Sequence, residues 1–124
     1  VPDAFISYSR PDQAIAEAIA VELRRLGLDV WWDRNLGGGE DYRQKTAAII
    51  AQVKATIVVW SRRSVESEWV IGEASAPRTR KILIPVNIER VDPPLDFRSL
   101  NTIDMTEWAP GDHGTRISNA CFFP

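Results

Sequence analysis

Residues 55–60 read Ala-Thr-Ile-Val-Val-Trp, and no other segment narrows the fold of this chain so far. Ile57, Val58 and Val59 are consecutive, apolar and β-branched, a combination that favours extended backbone. Successive side chains on a strand point to opposite faces, so an unbroken apolar run needs cover on both sides. A parallel sheet between helix layers supplies that cover. The rest of the chain agrees. Short apolar runs at 4–6, 28–32 and 82–86 read as further strands, and 102–105 as a short fifth one. Between the first two, Ile15, Ile19, Leu23 and Leu26 recur at helical spacing, and Gly27 follows as a stop. Residues 42–52 read as a second helix, with Thr46, Ile49, Ile50 and Val53 near one face. Ser64 is the expected cap of a third helix, with Glu66 and Glu68 in its first turns and Pro77 at its end. Alternating strands and helices predict an α/β fold with right-handed crossovers, a central five-stranded parallel sheet and helices on both faces.

A chain of 124 residues suits a single domain, and 44% hydrophobic residues suffice for a packed core. The formal net charge of −2 lacks the basic excess of a nucleic-acid footprint, so no direct nucleic-acid partner is expected. Arg24-Arg25 and Arg62-Arg63 read as solvated surface. Cys121 is the only cysteine, which rules out a disulfide framework within the chain and is compatible with a reducing, cytoplasmic setting. No apolar stretch approaches the roughly 20 residues that span a bilayer, so no membrane partner is expected. The sequence begins at Val1 without Met, directly before a strand, and reads as a piece of a longer protein. The expected domain is 1–109, with 110–124 a tail or the start of a linker.

Ligands in open sheets of this kind lie beyond the carboxyl ends of the strands. Residues 7–12, 33–42, 61–64 and 87–98 occupy those ends. No Gly-x-Gly-x-x-Gly follows the first strand, and Gly37-Gly38-Gly39 lacks the Lys-Ser/Thr of a phosphate-binding loop. His113 and Cys121 cannot make a zinc site by themselves, and no metal or permanently bound cofactor is expected. A phosphoacceptor receiver would carry Asp at the end of the third strand, where this chain has Trp60-Ser61.

Three segments make a resemblance specific. Asp3-Ala-Phe-Ile-Ser-Tyr-Ser9 resembles the first conserved box of Toll/interleukin-1 receptor (TIR) domains. Asp33-x-x-Leu36-x-x-Gly39, followed by Tyr42, resembles the long loop after their second strand. Ser67-Glu-Trp69-Val-Ile-Gly-Glu73 fits their W-x-x-x-E pattern, and residues 82–86 resemble the strand that follows. The likeness covers roughly residues 3–108 and is strongest toward bacterial, NAD-cleaving members. It implies a flavodoxin-like three-layer fold.

Glu73 is the candidate catalytic residue. It lies four positions after Trp69, so the two side chains leave one helix face about one turn apart. Spacing alone equally allows an exposed helical glutamate. The resemblance implies catalysis, because enzymatic TIR domains cleave the nicotinamide–ribose bond of NAD+ with a glutamate at this place. One carboxylate suits that chemistry. Nicotinamide leaves as a neutral molecule and needs no general acid, unlike the poor oxygen leaving group of a glycoside. An ionised carboxylate can hold the ribose hydroxyls and stabilise positive charge developing at the anomeric carbon.

Substrate contacts are expected from Tyr8, Ser9, Arg10, Asp33, Leu36, Tyr42 and Trp69. Trp69 can wall the nicotinamide–ribose pocket or pack in the core. Ser9 and Arg10 lie where the family binds adenosine or phosphate, although Ser9 replaces a second arginine seen in the animal enzyme. Residues 33–42 read as a lid or as a contact between domains, and Tyr42 as a base-stacking aromatic. The resemblance further implies NAD+ as substrate and ADP-ribose or a cyclic isomer as product. It implies partners in other copies of the domain, assembled as a homo-oligomer or filament, and in a sensor or regulatory domain outside this fragment. The alternatives are a noncatalytic TIR–TIR interaction module and a nucleotide-binding sensor.

Overall fold

The structure is a computed structural model that describes residues 2–32 and 40–108. Five strands form one parallel sheet: β1 (Ala4–Ser7), β2 (Val30–Trp31), β3 (Ala55–Trp60), β4 (Leu83–Asn87) and β5 (Ile103–Asp104). Their order is β2-β1-β3-β4-β5, and every neighbouring pair is parallel. Three helices complete the layers: α1 (Gln13–Arg25), α2 (Glu40–Gln52) and α3 (Glu68–Thr79). The chain turns back at β1, so the order reverses between β1 and β3, where open sheets of this class form their crevice.

Strand alternation divides the core. Ala4 and Ile6 of β1, Ile57 and Val59 of β3 and Val86 of β4 pack with Ala16, Ile19, Ala20 and Leu23 of α1. The intervening positions serve the opposite face. Val58 and Trp60 meet Val70 and Ala74 of α3, and Phe5 meets Ile50 of α2 together with Val53. Every residue of β3 is buried, as its apolar run predicts. Trp60 adds a tilted aromatic contact to Phe97 at 5.4 Å, and Phe5 stacks on Trp31 at 5.4 Å.

Gly27 ends the first helical segment as expected. With φ at 90°, it lets its own N–H reach the Arg24 carbonyl and the Leu28 N–H reach that of Leu23. Two other boundaries differ from the sequence reading. Ser64 does not cap the third helix; it begins a single 3-10 turn at Ser64–Glu66. Its hydroxyl donates to the Val59 carbonyl at 2.7 Å and accepts from the Ser61 N–H at 2.7 Å, which closes the turn after β3. Ser67 caps α3 instead, accepting from the Val70 N–H at 3.3 Å. Pro77 does not end α3, which runs two residues further to Thr79. Proline has no N–H to donate, so near a carboxyl end it costs one helical bond, the one to the carbonyl of Glu73.

The helix ends are tied to each other. Lys81 adopts φ 63°, and the N–H groups of Lys81 and Ile82 return to the carbonyls of Arg78 and Pro77. Arg80, beside it, donates from Nη1 to the Ile50 carbonyl in the last turn of α2 at 2.9 Å. This bond joins the carboxyl ends of α2 and α3.

Candidate functional site

α3 turns Val70, Glu73, Ala74 and Pro77 inward, all buried, at the i, i+3, i+4, i+7 spacing of a helix face packed on a core. One member of this apolar stripe is a carboxylate. Glu73 is 9% exposed, which excludes the reading of an ordinary solvated helical glutamate. Burial of an acid requires partners, and Glu73 has few. Ser7, the last residue of β1 and itself buried, donates its hydroxyl to Glu73 Oε1 at 2.7 Å. Glu73 Oε2 is buried with no partner of good hydrogen-bond geometry.

Desolvation dominates the acid–base behaviour of Glu73. Burial favours the neutral form and pushes the carboxyl from 4.5 up to about 7. The hydrogen bond from Ser7 and, after it, the Trp69 indole N–H favour the charged form and offset part of that rise. The group therefore stands near its own midpoint at neutral pH, which suits a carboxylate that changes its interactions during a reaction.

The carboxylate borders a pocket of about 250 Å³ between α2 and α3. Thr46, Ala47 and Ile50 form one wall, and Glu68, Trp69, Gly72 and Glu73 form the other. An added Cβ at Gly72 would meet nothing within 4 Å, so glycine keeps that wall open. A larger pocket of about 400 Å³ opens at the ends of β4 and β5, lined by Asn87, Arg90, Asp92, Thr102, Asp104 and Thr106. It is shallower in chemistry: Asp92 and Asp104 are exposed, and Asp104 Oδ1 already accepts from the Thr106 N–H and hydroxyl at 2.9 and 2.7 Å. The smaller cavity holds the buried acid and is the candidate site.

The structure brings Trp69 and Glu73 together in this pocket. It sets the other described candidates elsewhere. Tyr8 is 1% exposed and packs with the α1 side of the sheet, its ring 6.1 Å from that of Trp32. Ser9 donates to Asp12 Oδ2 at 2.6 Å, and Ser61 donates to the same oxygen, which knits the β1 and β3 ends together. Arg10 is exposed in the 3-10 turn Arg10–Asp12. Asp33 and Leu36 lie outside the described residues, and so does the side chain of Tyr42, whose backbone belongs to α2. Sequence reasoning missed Ser7 and Thr46. Strict alternation from Phe5 would have found Ser7, because it places Ser7 on the α3 side and Tyr8 on the α1 side. Among the described residues, no three His, Cys, Asp or Glu side chains gather as a metal site, and no helix is long and apolar enough to cross a membrane.

Known proteins share this architecture. A family model described as TIR domain matches residues 4–118. The TIR domain of the Toll-related receptor TRR-2 from the lower metazoan Hydra magnipapillata superposes with a TM-score of 0.74 at 17% identity, over 86% of each chain. A metazoan TIR-STING receptor from C. gigas, solved with 2',3'-cGAMP, gives 0.70 at 29% identity over 85% of this chain and 35% of its own. This chain thus spans about a third of that receptor. The TIR domains of the activated Roq1 resistosome, which directly recognizes the pathogen effector XopQ, give 0.62 at 15% identity over 92% and 93%. The first and third of these likenesses bear on the fold alone. No curated protein sequence matches the chain.

Proposed function

We propose that this chain, which belongs to the TIR domain family, cleaves the nicotinamide–ribose bond of NAD+. The observation that carries the reading is the buried Glu73 carboxylate, held on one oxygen by Ser7 and bordering an open pocket between α2 and α3. The nicotinamide ring of the substrate is cationic. A positive charge beside a buried carboxyl favours its ionised form, so substrate itself draws Glu73 toward the state the reaction needs. Oε2 accepts from a ribose hydroxyl and faces the charge that grows at the anomeric carbon as the C–N bond breaks. Nicotinamide takes the bonding pair and leaves neutral. Water then captures the ribosyl centre to give ADP-ribose, or a nucleophile within the same molecule closes a cyclic isomer.

The pocket falls below the roughly 300–1,000 Å³ usual for ligand sites, so it accommodates one half of a dinucleotide. The rest of the nucleotide extends outside it, toward a surface that a second copy of the domain completes. Self-association, attachment to a sensor domain and a cytoplasmic role in bacterial defence signalling belong to this proposal.

The test follows NAD+ loss and nicotinamide release by chromatography, with the domain clustered at high local density. Turnover by the original chain should fall roughly 10²–10³-fold in Glu73→Gln while folding and assembly survive. Retention of the ribosyl product separates linear from cyclic ADP-ribose. Absence of turnover by the clustered original chain would refute the enzyme reading and favour a TIR–TIR interaction module.

A further inference from the structure

The pocket holds a second buried oxygen without a partner, on the opposite helix from Glu73. Thr46 of α2 is 2% exposed, and its hydroxyl makes no hydrogen bond. A helical threonine commonly turns its hydroxyl back to a carbonyl three or four residues earlier. Thr46 does not, although a buried, unmade hydrogen bond lowers stability. Valine would fill the same space without that penalty. Among the described residues, the rest of the α2 wall is apolar, formed by Ala47 and Ile50, and Thr46 carries the only hydroxyl of the lining.

We propose that Thr46 is a specificity-determining substrate contact that hydrogen-bonds the carboxamide of the nicotinamide ring. The inference rests on the NAD+ reading above and names what the α2 wall contributes to it. Glu73 holds the ribose from the α3 side, so the ring attached to that ribose extends toward the α2 side of the same small cavity. The ring is flat with apolar faces, and Ile50 and Trp69 both line the same cavity. Its one polar substituent is an amide, which both donates and accepts. A hydroxyl does the same and can meet either end of it. A site built around such a bond discriminates against an analogue that lacks the group, because its own buried hydroxyl then stays unpaired.

The experiment compares kcat/KM of the clustered 124-residue chain with its Thr46→Val and Thr46→Ser variants. Each is assayed on NAD+ and on an analogue with hydrogen in place of the carboxamide. Thr46→Val should lose roughly tenfold on NAD+ and little on the analogue, while Thr46→Ser keeps the preference. The Tm of Thr46→Val should stay level or rise, because a merely structural hydroxyl without a partner leaves nothing to lose. Equal activity of Thr46→Val and the original chain on NAD+, or the same loss on both substrates, overturns the proposal. If the original chain does not cleave NAD+, the enzyme reading fails by itself, and titration with free nicotinamide decides the contact. Nicotinamide binding weakened in Thr46→Val but not in Thr46→Ser upholds it. Equal binding in all three, or none, overturns it.

Discussion

The two faces of the sheet are built to different standards. On the α1 side, Ala4, Ile6, Ile57, Val59 and Val86 interlock with Ala16, Ile19, Ala20 and Leu23, apolar against apolar. The α2–α3 side buries comparable apolar groups, but it also buries Thr46, Thr56, Trp60 and Glu73, each with a polar atom that lacks a partner. Each such atom costs about 1–3 kcal/mol relative to a satisfied one. One face therefore supplies stability, and the other gives some of it up to unpaired polar groups, two of which, Thr46 and Glu73, line the pocket. That division is what the proposed site would impose on an otherwise consistent fold.

Cutting into the α1 face gives the largest expected effect. Leu23→Ala should destabilise the domain by about 3 kcal/mol in denaturant unfolding, through lost burial and the cavity left behind. A loss below about 1 kcal/mol would show that this face is not the tightly packed one.

The next test lies in the pH dependence of stability. The folded state binds the Glu73 proton more tightly than the unfolded state, because the carboxyl rises from 4.5 to about 7. Between those values the native state holds the extra proton, so stability falls as pH rises from about 4.5 to 7 and then levels. The fall attributable to this group is at most about 3 kcal/mol. Glu73→Gln should remove that component and leave the variant more stable than the original chain at pH 8. A variant whose unfolding curve tracks the original across this range would place Glu73 in solvent.

Ser7→Ala takes away the bond that favours ionised Glu73. The rising limb of the turnover–pH profile should move toward alkaline pH by roughly half to one unit. An unmoved profile with an unchanged Tm would reduce Ser7 to a bystander. The smallest effect belongs to Gly72→Ala. Alanine should stabilise α3 by about 0.5–1 kcal/mol while its methyl narrows the pocket and raises KM. Gain of stability with unaltered KM would move the substrate away from this wall.

The layers were legible in the sequence because period and composition agreed locally. Residues 55–60 could only be a doubly covered strand, and the stripe from Ile15 to Leu26 could only be a helix stopped by Gly27. Glu73 was singled out because its spacing from Trp69 resembles a family pattern, but its burial was not legible. Whether the stripe through 70, 73, 74 and 77 faces a sheet depends on how α3 docks, and docking is a long-range property. The face on which Ser7 lies was readable from strand alternation, but its pairing with Glu73 was hidden for the same reason, since the two are 66 residues apart. The start of α3 was misplaced because Ser64 and Ser67 are equally good caps on paper. Only the turn after β3, which consumes the Ser64 hydroxyl, decides between them.

Arg80 reaches across from α3 to the carbonyl of Ile50. The two helices that wall the site are thereby joined at their carboxyl ends, through the backbone of a residue, Ile50, that also lines the pocket. The spacing of the two walls is thus tied to an arginine that is not itself among the lining residues.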